Sequence, residues 1–233
     1  MIAMKLPIPV LMYHSLDPNR IPGKLSVSLE VFKKHLNFLK KMNFQILSIQ
    51  QYLDRNMQAS FFEKVAVLTF DDGYLDNYTH AYPLLEKMGF PCTFFVNPQS
   101  IGTKGFMTWD MLQKMSRTPG IEVQSHGISH DPLKDLDEMR AKISICESKK
   151  ILEHMLGKGV TGFSYPSGSF NDSIMKWVKE SGYQWACAAS RVHEKRFLSS
   201  PYAIKRIKIS CSSTRVPAFA FRVFKFYALF GKI

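Results

Sequence analysis

Two adjacent acids, Asp71-Asp72, close the apolar run Val65-Ala66-Val67-Leu68-Thr69-Phe70 and are followed by Gly73. A carboxylate at the end of a buried strand is tolerated when water, hydrogen bonds or a cation satisfies it. Asp and Gly are also common turn residues, so this stretch alone reads equally well as a strand-ending turn. Farther along, His126-Gly127-Ile128-Ser129-His130 sets two imidazoles four apart, which brings both to one side of a helical turn or tight loop. Histidines at that spacing also occur by chance on solvated helices. Joined by one carboxylate, the pair makes a two-histidine, one-acid metal site with positions open for water and substrate, the arrangement of Lewis-acid hydrolysis.

The elements that must position these groups follow from periodicity. Ile8 to His14 predicts a first strand, and Ser28 can cap a helix carrying Phe32, Leu36 and Leu39 on one face. Short strands are expected at Phe44–Leu47, Val65–Phe70, Cys92–Val96, Ile121–Gln124, Thr161–Tyr165, Tyr183–Ala189 and Ala203–Ile209. Between them lie helices over Ser48–Met57, around Tyr82–Met88 with Gly89 ending it, from Thr108 to Met115, over Leu136–Leu156, and from Asn171 to Lys179. Strands alternating with helices predict an α/β fold of parallel βα units, in which loops after strand C-termini carry the chemistry. Asp71, His126 and the Pro166 loop each follow a predicted strand.

The 233 residues suffice for one barrel-sized core. Lys and Arg outnumber Asp and Glu 31 to 19, a net charge of +12 that favours anionic partners without choosing among them. The four cysteines, Cys92, Cys146, Cys187 and Cys211, form no CxxC pair and read as reduced core residues. Met1 to Val10 has no signal-peptide pattern and no apolar run reaches membrane-spanning length, so the expected location is cytoplasmic or peripheral to the inner face of the membrane.

Leu11-Met12-Tyr13-His14, Thr69-Phe70-Asp71-Asp72-Gly73, Ser125 to His130 with Asp131-Pro132-Leu133, Phe163 to Gly168, and Ala203 to Ile209 together resemble the NodB-type polysaccharide deacetylase family, carbohydrate esterase family 4. The resemblance covers most of the chain. It implies a distorted (β/α) barrel in which Asp72, His126 and His130 hold a divalent metal, Zn²⁺ first, with Co²⁺, Ni²⁺ or Mn²⁺ as alternatives. Asp71 becomes the general base, and the loop of Tyr165, Ser167 and Gly168 lines the substrate, with the Ser167 N–H facing the oxyanion.

Two departures stand out. Many members read Arg-x-Pro-Tyr-Gly where this chain has Ser164-Tyr165-Pro166-Ser167-Gly168, so the arginine that orients the catalytic acid is replaced by Ser164; Arg206 is the candidate substitute. The family's C-terminal Leu-x-His motif is also missing. Members similar to the poly-N-acetylglucosamine deacetylases draw the general acid from an N-terminal Tyr-His motif, which makes His14 that acid.

After Glu194 no acid occurs, while Lys195, Arg196, Lys205, Arg206, Lys208, Arg215, Arg222, Lys225 and Lys232 are basic. Residues 1–214 are expected to form the deacetylase domain. Residues 215–233 form a basic, aromatic helix opening near Pro217, either a last element of that domain or a tail for an anionic membrane surface. No nucleic-acid motif accompanies the charge. The expected activity is removal of acetyl from an N-acetylated hexosamine in a polysaccharide or lipid-linked glycan. O-acetyl-sugar esterase, small-molecule C–N hydrolase and a catalytically silent scaffold are the alternatives.

Overall fold

Six consecutive buried residues, Val65–Phe70 (β5), form the strand around which the sheet is assembled in a computed structural model describing residues 5–17, 25–60, 63–189, 200–210 and 215–230. A strand covered on both faces reads as a continuous apolar run, which is why β5 shows no alternation. One of its edges is shared end to end by two parallel partners. Gln45–Leu47 (β3) pairs with Val65 to Val67, and Val10–Tyr13 (β2) with Val67 to Phe70. The other edge receives Cys92–Val96 (β6), followed in parallel by Ile121–Ser125 (β7), Gly162–Ser164 (β8) and Trp185–Ala188 (β9).

The expected strand over Ala203–Ile209 is broken in two at Arg206, and the break closes the barrel. Ile204–Lys205 (β10) pairs with β9 at one end of the sheet, whereas Ile207–Lys208 (β11) pairs with β2 at the other. Consecutive residues therefore bridge the two edges of a nearly closed parallel barrel, with Arg206 at the handover. A small antiparallel ribbon, Lys5–Pro7 (β1) with Gln58–Ser60 (β4), was not expected from the sequence. Three-residue strands lie below the window in which period-2 patterning is readable.

Helices start where side chains accept the first free amides. Ser28 caps Leu29–Lys41 (α1), Ser48 and Gln51 form a capping box on Ile49–Asp54 (α2), and Thr108 caps Trp109–Arg117 (α4). Asp137 caps Glu138–Leu156 (α5), and Asn171 caps Asp172–Glu180 (α6). Tyr82–Met88 (α3) carries Pro83 in its first turn and stops at Gly89 in the left-handed conformation, as expected, but a π-helical turn, Asn77–Ala81, precedes it.

The last helix, Val216–Phe230 (α7), packs on the fold. Phe219 is fully buried and stacks on His35 with ring centroids 3.9 Å apart, and Val223 is buried beside it. The membrane-surface expectation finds no support here, because these two residues of the expected apolar face are already covered by protein. Phe221 and Phe224 are exposed; the side chains from Lys225 onward lie outside the described residues. No helix among the described residues is long and apolar enough to cross a membrane. Cys92 and Cys187 are buried free thiols and Cys146 is half-buried, while Cys211 lies outside the described residues.

Candidate active site

The C-terminal ends of β2, β5, β6, β7, β8 and the 204–208 segment converge on one cavity of about 520 Å³. It is lined by His14, Asp71, Asp72, Asn97, His126, His130, Tyr165, Ser167, Gly168 and Arg206. Every site residue singled out from the sequence is thus brought to one place. The shared cause is the parallel sheet, which aims all its strand ends the same way.

Asp71 is 2% exposed, and a carboxylate at that depth requires compensation. Arg206, 1% exposed, supplies it as a fork: Nη1 donates to Oδ1 at 2.6 Å and Nη2 to Oδ2 at 2.7 Å. The remaining guanidinium donors reach Thr69 Oγ1, Ser164 Oγ and the Ala188 carbonyl, and the Phe95 ring lies 5.2 Å from its carbon. All five N–H directions of the guanidinium are therefore used. Burial pushes the Asp71 carboxyl up, but the guanidinium and the His126 ring outweigh it and hold the group below the ordinary carboxylate range. Ser164, which stands where many family members carry arginine, accepts from the arginine that arrives from the other side of the barrel.

Asp72 is built differently. Its φ of +77° lies in the left-handed region, which is costly for a residue with a Cβ and turns it away from the strand direction of Asp71. Its Oδ1 is buried and accepts no hydrogen bond, yet it lies 3.5 Å from His126 Nε2 and 3.4 Å from His130 Nε2. His126 Nδ1 meets the Ser164 carbonyl at 2.7 Å. A carbonyl can only accept, so Nδ1 carries a proton, and Nε2, the nitrogen turned toward Asp72, offers a lone pair to a cation whenever the ring is neutral. His130 is half exposed and opens the cluster to the cavity. Burial works against charge on His126, but Asp71 and Asp72 outweigh it and raise its pKa. The site thus demands positive charge at the point where one carboxylate and two imidazole nitrogens meet, all within 4.8 Å of one another. This donor set suits a divalent transition metal.

The 126–130 loop is not helical. Gly127, at φ +74°, makes the turn, and a Cβ there would press on Ser144 Oγ and Pro166. Asn97 fixes the loop by donating its side-chain N–H to the His126 carbonyl at 2.6 Å. Sequence reading passed over Asn97, although a polar residue just after the buried strand β6 fits the same strand-end rule that picked out Asp71.

On the opposite wall, the Tyr165 hydroxyl donates to the Tyr202 carbonyl at 2.9 Å, and its N–H to the Cys187 carbonyl. The Gly168 N–H closes the turn onto the Tyr165 carbonyl. These commitments leave the Ser167 N–H, in a residue at φ +55°, as the amide of this loop without such a bond. Gly168 has no room for a side chain, since a Cβ would sit 2.4 Å from that of Ala189. His14 is buried with Nδ1 unbonded; burial lowers its pKa despite the pull of Asp71 and Asp72. Its carbonyl accepts from Asn77 Nδ2. Of the other histidines, His35 is a core residue bonded to the Tyr13 hydroxyl, and His193 lies outside the described residues.

A sequence profile described as polysaccharide deacetylase matches residues 58–186, more than half of the chain. The chain belongs to the polysaccharide deacetylase family. YxkH of Bacillus subtilis, which bears the family's name, is 32% identical over 206 residues, covering 87% of this chain and 71% of that one. A Staphylococcus aureus poly-β-1,6-N-acetyl-D-glucosamine N-deacetylase is 27% identical, covering 79% and 68%. Among solved structures, a polysaccharide deacetylase from Bacillus cereus superposes with a TM-score of 0.79 at 25% identity, covering 94% of this chain and 69% of that one. A Streptococcus pyogenes deacetylase shares the fold at a TM-score of 0.77 and 24% identity, covering 97% and 99%. This hydrolase family accounts for the nearly closed barrel, with the acid pair and the HxxxH loop at its mouth.

Proposed function

We propose that this family member is a metal-dependent deacetylase that removes acetyl from an N-acetylated hexosamine in a polysaccharide or a lipid-linked glycan. The observation that carries this reading is a buried carboxylate clamped by a guanidinium, set in one cavity beside an open Asp-His-His cluster. The named substrate of the Staphylococcus aureus relative supports the sugar. Asp72, His126 and His130 would hold the cation, and Zn²⁺ suits imidazole and carboxylate donors with positions left open. Bound there, it would supply Lewis acidity toward the acetyl carbonyl and lower the pKa of water.

Asp71, kept ionised and oriented by Arg206, takes the proton of the attacking water as it adds to the acetyl carbon. The Ser167 N–H is available to donate to the oxygen that gains charge. His14 delivers a proton to the nitrogen as the C–N bond breaks, releasing acetate and the free amine. Because burial keeps its pKa low, His14 takes up that proton before giving it. The proton lifted from water by Asp71 is a source within the same cavity.

Protein loaded with Zn²⁺ or Co²⁺ is expected to release acetate from β-1,6-linked N-acetylglucosamine oligomers or chitooligosaccharides. Asp71→Asn should slow that release by about 10²-fold or more. Release that survives chelation, or equal rates in the variant, would overturn the reading.

A further inference from the structure

Arg206 and Lys208 stand two apart on the segment that closes the barrel, and both line the active-site cavity. Their charges meet different fates. The Arg206 charge is cancelled by Asp71. Lys208 is half-buried, and among the described residues no carboxylate pairs with it.

The backbone of Lys208 is nevertheless firmly placed. It sits in the ladder opposite Met12, which also lines the cavity, and its carbonyl accepts from Arg222 Nη1 at 2.8 Å. A rigid strand thus presents an ammonium to the substrate cavity. With Asp71 matched by Arg206, and Asp72 set against the cation it would hold, the Lys208 charge is left over. Arg222, whose Nη1 reaches the Lys208 carbonyl, brings another cation to this strand and raises the local potential. A neutral N-acetylated sugar has no group that calls for such a cation. An anion does, and a half-buried ammonium strengthens its hydrogen bond to one.

We propose that the substrate carries an anionic group, a phosphate or a carboxylate, on or next to the N-acetylated sugar, and that Lys208 is the specificity-determining residue that receives it. This rests on the deacetylase reading above. Turnover and binding are therefore measured separately, using N-acetylglucosamine 1-phosphate, a disaccharide of N-acetylglucosamine and glucuronate, and the uncharged methyl N-acetylglucosaminide as probes.

In Zn²⁺-loaded wild type, the charged probes should exceed the neutral one in kcat/KM by about fivefold or more, carried mainly by KM. That ratio should fall toward one in Lys208→Gln, be kept in Lys208→Arg, and shrink as salt is raised. A phosphate probe favoured alone would point to a lipid-linked or nucleotide-type sugar; a uronate favoured alone would point to an acidic polysaccharide. If no probe is hydrolysed, the deacetylase reading fails for these sugars, and calorimetric binding of the same probes to wild type and Lys208→Gln still decides the role of Lys208. Equal affinity of wild type for charged and neutral probes, or a preference that persists in Lys208→Gln, would overturn the proposal.

Discussion

Asp71 and Asp72 are neighbours in the chain and opposites in the structure. Asp71 has both oxygens saturated by a guanidinium that spends every donor around it, whereas Asp72 presents a buried oxygen with no donor at all. Both carboxyls are held below their ordinary range after burial is overcome, but by different cations: a permanent one on Arg206 for the first, and titratable histidine rings for the second. A carboxylate locked by hydrogen bonds is placed to accept a proton at a fixed point. One with an unshared oxygen among imidazole nitrogens is placed to accept a metal.

The largest effect should come from removing one half of this contrast. Asp71→Asn keeps the shape but removes the base, and a loss of about 10³-fold in kcat, within the range for a positioned general base, is expected with metal content unchanged. Inductively coupled plasma analysis beside the kinetics checks both halves of that statement; a metal-free variant would merge the two roles again.

Next in size is Arg206→Met, which leaves a buried carboxylate without a partner. A stability loss of about 3–5 kcal/mol is expected from denaturant unfolding. The double variant Ser164→Arg with Arg206→Ser moves the guanidinium to the position many family members use. Recovery of stability and rate relative to Arg206→Ser would show that Asp71 needs a clamp but not this route to one.

For Asp72 the sharper test is occupancy. Zn²⁺ at 100 times its Kd should stabilise the folded protein by about 2.7 kcal/mol, read as a rise in Tm that Asp72→Ala and His126→Ala abolish. A rise that survives both variants would place the metal elsewhere.

The smallest effect concerns a half-buried acid, Glu122 on β7. Among the described residues the Thr93 hydroxyl donates to Glu122 at 2.8 Å, and burial raises the Glu122 pKa. The folded chain then holds this proton more tightly than the unfolded chain. Stability should therefore fall as pH rises from the ordinary glutamate range through the raised value. Glu122→Gln should remove that slope, as followed by thermal unfolding across the window. An unchanged slope would mean that burial alone does not set Asp71 and Asp72 apart from it.

Much of this was legible from residue types. Apolar runs bounded by turn residues located the strands of the barrel, and the capping residues Ser28, Ser48, Thr108 and Asn171 located helix starts, because both signals are local. The boundaries that failed are also instructive. The short β1–β4 ribbon and the π-turn before α3 leave no periodic trace, and the 203–209 strand gives no hint of its division between two edges. The membrane-surface reading of the last helix finds no support, and the sequence could not weigh it, because an amphipathic face looks the same whether lipid or protein covers it.

The sequence by itself determined the chemistry at hand: two acids after a buried strand, two histidines in one loop, and strand ends that must share a side of a parallel sheet. The division of work between the acids was expected only through the family resemblance; the tertiary structure supplies the two different environments that fit it. Arg206 lies 135 residues from Asp71 and reaches it because the barrel closes between β10 and β11. Asp72 is left to the histidines because its left-handed backbone turns it the other way. Spacing in a chain cannot show which charge a closed sheet will set beside which.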